Sequence, residues 1–152
     1  MCLVVNKAMH DGGKPLIANE DITVYKFLVT NNHVDFYTPY YHCKVSFKND
    51  ICKLPKIKQL NPELKYYKPS LWKSTPLLFE ICVNKGYHSY TKLSRAHDQV
   101  SAYLLNNECS DCTERCKSAE VLEAYIPKGA SYFVGSNDDI VSTKLVIKKR
   151  YL

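Results

Sequence analysis

The segment DITVYKFLV, residues 21–29, puts Ile22, Val24, Lys26 and Leu28 at every second position, the period of a strand with one face turned to a core. Its β-branched and aromatic content, bounded by turn formers, predicts a strand. Lys26 breaks the apolar face, and an ammonium there must either snorkel to an edge or meet an anion. Further on, SRAHDQVSAYLL, residues 94–105, repeats apolar positions at Ala96, Val100, Tyr103 and Leu104. That is the i, i+4, i+7, i+8 spacing of an amphipathic helix, with Ser94 placed as its N-cap. The preceding stretch, PLLFEICVNKGYHSY at 76–90, reads as one strand or two short ones, and Gly86 permits an unusual backbone angle between them.

Beyond the helix, AEVLEAYIPKGASYFVG at 119–135 predicts a strand ending at Pro127, a Lys128-Gly129 turn and a second short strand. DDIVSTKLVIKK at 138–149 alternates, which predicts one strand with Val141, Thr143, Leu145 and Ile147 on a common face. The first 20 residues read as irregular, and VDFYTPYYHCKVSF at 34–47 as a turn at Pro39 followed by a short strand. Strands, one clear helix, then strands again predict an α+β class with a mainly antiparallel twisted sheet and one or two helices.

The length of 152 residues suits a single domain spanning 1–152, with enough chain to bury a core. No run approaches the roughly 18–20 apolar residues that cross a bilayer. The opening MCLVVN lacks a basic n-region and a secretory h-region, so a cytoplasmic protein without membrane partners is expected. A net charge of +6 admits anionic partners, nucleotides and nucleic acid among them. Lysines gather in CKLPKIKQLNPELKYYKPSLWK, residues 52–73, interleaved with aromatic rings. There Lys65, Tyr66, Tyr67, Lys68 and Trp72 have the composition of a surface for stacking bases or docking a partner protein. Three prolines in the same stretch exclude a long helix or a central strand.

Seven cysteines without a secretory leader argue against a disulfide framework. Cys109, Cys112 and Cys116 form C-x2-C-x3-C, three thiolates spaced to hold zinc with a fourth ligand from Cys43, Cys82, His88 or His97. An iron–sulfur cluster would want four thiolates, and no second C-x2-C half-site exists. Cys2 as an N-terminal nucleophile is set aside, because such amide-cleaving enzymes are far larger. A hydrolase built on His88 and Ser89 is set aside too. Neighbours on a strand point to opposite faces, and no G-x-S-x-G, P-loop or G-x-G-x-x-G occurs.

In their order, TVYKFL, KGYHSYTKLSRA, VLEAYIPKGASYFVG and DDIVSTKLVI resemble the successive elements of the ADP-ribosyltransferase superfamily, over residues 21–29 and 76–149. The chain also resembles short proteins of phages and gut bacteria that share G-[YF]-H-S and I-P-K-G segments. The resemblance implies a transferase-like fold with a cleft for an NAD-like nucleotide. Lys26 would stand where the family has an arginine, able to neutralise a phosphate but not to fork across it. His88, Ser89 and Tyr90 would occupy the serine motif, supplying hydrogen bonds and a stacking face, with Lys128 adding charge at the rim.

The family's catalytic glutamate would fall near Ser142 or Thr143, where no carboxylate stands, and Asp138 and Asp139 come too early. Losing such transition-state electrostatics costs on the order of 10²–10³-fold in rate. Glu80 and Glu123 remain as spatial substitutes. The resemblance therefore implies a binding protein that holds a nucleotide without turning it over. In a phage setting it would act in the host cytoplasm, sequestering a nucleotide signal or blocking a host defence factor. Two alternatives stand beside it: an active ADP-ribosyltransferase using NAD with an unconventional acid, and an inhibitor that grips a host protein through the basic aromatic segment.

Overall fold

The computed structural model describes residues 3–30, 35–39, 44–67, 78–106 and 118–151. Strands β1 (Leu3–Val4), β2 (Leu16–Ile17) and β3 (Ile22–Thr30) come first, with two short 3-10 turns between β1 and β2. Next are β4 (Phe36–Tyr37), β5 (Lys44–Val45), β6 (Ile51–Lys53), β7 (Pro62–Tyr67) and β8 (Leu78–Val83). After β9 (Tyr87–Tyr90) the helix α1 (Leu93–Asn106) leads to β10 (Ser118–Ile126), β11 (Ser131–Val134), β12 (Asp139–Ser142) and β13 (Val146–Tyr151). Pairing is antiparallel throughout, in a ten-stranded sheet and a three-stranded one, and α1 is the one α-helix among the described residues. This is the α+β class expected from the sequence.

The larger sheet runs β2-β11-β12-β9-β3-β10-β13-β6, with β4 and β5 appended to β3. Four strand spacings separate β12 from β13 in that order, about 19 Å on a flat sheet. The chain from Ser142 to Val146 can reach only about 14 Å. The sheet therefore curls, and residues 54–57 close the gap: Leu54 N–H donates to the Leu145 carbonyl and Ile57 N–H to that of Thr143. Curling gives the sheet an inner face, where Val24, Leu28, Leu122, Ala124, Ile140 and Ile147 join one buried cluster. The outer face carries two more. Helix α1 packs Ala96 and Tyr103 on Phe27, Val29 and Val121, while the small sheet of β1, β8 and β7 lays Leu3 and Val83 on Phe133 and Val141.

Several local expectations hold. The strand expected over 21–29 is β3, Ile22–Thr30, and the Lys128-Gly129 turn closes through Ala130 N–H to the Pro127 carbonyl, with Gly129 at φ +89°. The stretch 76–90 follows the second of its two readings, with two strands, β8 and β9, in two different sheets on either side of Gly86 at φ +130°. Others are corrected. The alternating stretch 138–149 is also two strands. Val141 packs on the outer cluster while Leu145 and Ile147 enter the inner one, because the break at 143–145 carries the chain across the curled sheet. Ser94 lies inside α1, and the Lys92 carbonyl takes the first helical bond, from Ala96 N–H. Leu104, expected on the buried face, is 40% exposed. No helix among the described residues is long and apolar enough to cross a membrane.

Candidate functional site

Strand alternation fixes what Lys26 can meet. On one side β10 runs in full register with β3, placing Leu122 opposite Lys26. On the other side β9 pairs with β3 at Tyr25 and Tyr90 alone. Further along that poorly paired seam, the Lys26 ammonium reaches across and donates to the His88 carbonyl at 2.6 Å. The residue is 7% exposed, and among the described residues that neutral carbonyl is its only partner. An ammonium has three donors, so two remain available. Burial pushes the amine down to about 8, since a desolvated cation without a carboxylate loses stability relative to the free amine.

Ser89 shares the inner face, opposite Ile140 on β12. It is fully buried, and among the described residues its Oγ has no hydrogen-bond partner. His88 projects the other way, opposite Val141 of the small-sheet cluster and on the same face of β9 as Tyr90 of the helix cluster. Its Nε2 lies 3.2 Å from the Asn84 carbonyl, which can only accept, so Nε2 carries the proton and Nδ1 presents a buried lone pair without a donor. Burial chiefly holds the imidazole down at about 4; the Asn84 bond opposes that shift and the Lys26 charge adds to it.

The sign of the His88 effect follows from these values. Between about pH 6.5 and 4 the unfolded chain binds a proton that the folded chain refuses. This contribution is present at neutral pH and is lost as pH falls through that window, by about 3 kcal/mol in all. Urea unfolding of wild type and His88→Leu across pH 7 to 4 should therefore give stability curves that converge or cross toward acid. Parallel curves would contradict the assignment.

Of the five residues expected around a ligand, the inner face brings together Lys26, Ser89 and the backbone of His88. The His88 imidazole and Tyr90 lie on the outer face, because consecutive strand residues alternate. Tyr90 does not offer a free stacking surface: it is buried, with its ring stacked on Phe27 at 6.4 Å. Lys128 sits in the exposed turn past Ile126, its N–H bound to the Asp21 carboxylate. Ile126, two residues before it, is already four residues, about 13 Å, along β10 from the level of Lys26. The hydroxyls at the glutamate position are engaged internally, Ser142 Oγ with the Lys144 carbonyl at 2.8 Å and Thr143 Oγ1 with Ser131.

Neither carboxylate offered as a substitute reaches Lys26. Glu123 stands opposite Tyr25 on the outer face, and Glu80 belongs to the small sheet. Glu120 is the carboxylate the sequence reading missed. It lies on the inner face opposite Leu28, two positions along β10 from Leu122. Only the register of β10 against β3 reveals this, and nothing in the spacing of residues announces a register. Lys65, Tyr66 and Tyr67 belong to β7, but their side chains, with Lys68 and Trp72, lie outside the described residues, as do Cys109, Cys112 and Cys116. Among the described residues no group of His, Cys, Asp and Glu side chains is arranged to hold a metal. No family model matches the chain, and neither a curated protein nor a solved structure does.

Proposed function

We propose that the protein binds a phosphate-bearing, nucleotide-type ligand on the inner face of the curled sheet without turning it over. The observation that carries this reading is the Lys26 ammonium, buried with one neutral acceptor and two unused donors beside the unpartnered hydroxyl of Ser89. A purely structural lysine would be expected to find a carboxylate, since burying a lone charge is costly. A phosphate oxygen would supply the missing charge and take the spare N–H groups, and Ser89 would add one more bond. The likeness to ADP-ribosyltransferases and to short phage proteins extends the reading to an NAD-like ligand, and to sequestering a nucleotide signal or blocking a host defence factor in the host cytoplasm.

Two measurements test it. A mass spectrum of small molecules released by heating the purified protein should contain a nucleotide. Calorimetry with ATP, ADP, NAD and ADP-ribose should show binding by wild type. Uniform absence of heat and of a released nucleotide would overturn the reading.

A second reading rests on Glu120, which puts a carboxylate on the Lys26 face after all. In that case the protein is an active transferase that uses Glu120 as its acid. Incubation with labelled NAD and host lysate distinguishes the two. No transfer is expected; transferred label that disappears on Glu120→Gln would replace binding with catalysis.

A further inference from the structure

Pairing of β13 with the edge strand β6 joins two lysine-rich segments that lie far apart in the chain. Val146 faces Lys53, and Lys148 faces Ile51. Residues 54–57 then continue alongside 143–145. The hairpin that presents β6 turns through Asn49 and Asp50, both at positive φ, which these two residue types tolerate. Lys48, Lys53, Lys56, Lys58, Lys144, Lys148 and Lys149 are thereby collected along one edge of the sheet. The two segments 44–58 and 143–149 contain a single carboxylate, that of Asp50. Among the described residues none of these seven lysines forms an ion pair, whereas Lys44 and Lys92 pair with Asp35 and Asp138. Two of the seven ride over aromatic rings, Lys148 over Tyr125 at 5.4 Å and Lys149 over Phe47 at 6.0 Å.

We infer that this edge is a binding surface for single-stranded nucleic acid. The chain's net charge of +6 is not spread evenly, and unpaired cations gathered on both faces of one sheet edge raise a local field that a polyanion neutralises along its length. Lysines bind phosphates as point charges and carry no sequence information, so the contact is non-specific and salt-sensitive. The two part-exposed rings beneath these cations, Tyr125 and Phe47, lie on opposite faces of the edge, and their uncovered rims suit a strand whose bases are unpaired rather than a duplex. The surface is distinct from the inner face around Lys26, and it uses none of that site's residues.

Fluorescence anisotropy with labelled oligo(dT) of about 20 nucleotides tests the inference. Binding is expected at about 50 mM salt and should weaken steeply toward about 200 mM. The double charge swap K53E/K148E should weaken binding at least about tenfold and flatten the log–log salt slope by about 1.4, while the charge-matched swap K14E/K85E leaves both unchanged. Far-ultraviolet circular dichroism confirms that each variant is folded. No binding at low salt, equal loss in both double variants, or tighter binding of a duplex of the same length would overturn the inference. So would capture by anionic lipid vesicles without capture by oligo(dT).

Discussion

Replacing Lys26 with methionine should make the protein more stable at pH 7 and deprive it of its ligand. The two halves of this result have one cause. The amine has been pushed down from 10.5 to about 8 by burial, a difference of about 2.5 units that corresponds to about 3 kcal/mol held against the folded state at neutral pH. Methionine has nearly the same shape and no charge to desolvate. Against that gain stands the His88 carbonyl, which loses its donor at a cost of about 1 kcal/mol. A net gain of about 2 kcal/mol is expected in urea unfolding. Binding of whichever nucleotide wild type retains should weaken about 10–100-fold in calorimetry, the loss typical of a hydrogen bond to a charged group.

The pH dependence separates this account from a merely structural one. Between pH 8 and 10.5 the unfolded chain holds a proton on Lys26 that the folded chain has released, so wild-type stability rises with pH through that window. The Lys26→Met variant lacks that rise, and its advantage should fade above pH 8. If instead the variant is less stable at pH 7 and still binds, Lys26 serves to clip β9 to β3 and the ligand lies elsewhere.

The sequence exposed Lys26 because a strand with one polar intruder on its apolar face is a departure from period 2, and such departures are local. It exposed α1 through another local signal, the i, i+4, i+7, i+8 spacing of its apolar residues. What it hid was relational. His88, Ser89 and Tyr90 stand side by side in the chain, and reading them as one ligand-facing group conflicts with the alternation that sends Ser89 inward and its two neighbours outward. The break at 143–145 was hidden because Val141, Thr143, Leu145 and Ile147 keep the alternation of a single strand, although the chain crosses from β12 to β13 there. Glu120 and the lysine edge depend on strand register, and register is settled by which neighbours bury which face across the whole sheet.

Gly86 shows how much of the site depends on one such crossing. It carries the chain from β8 in the small sheet to β9 in the large one, at φ +130°, a region that residues with a side chain rarely enter. A Cβ there would lie 2.7 Å from Leu60 Cδ2 and closer still to Val141 Cγ2. Both side chains are buried, so neither can swing away. Gly86→Ala should therefore cost about 4 kcal/mol, combining backbone strain with overpacking, and lower the melting temperature by about 12 °C. Gly129→Ala is the control. It shares the positive φ but meets nothing within 4 Å, so strain alone, about 1 kcal/mol, is expected. The difference between the two variants isolates the steric part. Gly86 lies two residues before the His88 carbonyl that holds Lys26, and relief of the clash has to move the start of β9, so ligand binding should fall along with stability in Gly86→Ala and be retained in Gly129→Ala. Equal costs for the two substitutions would mean that Val141 and Leu60 do not pack against the β8–β9 crossing as described.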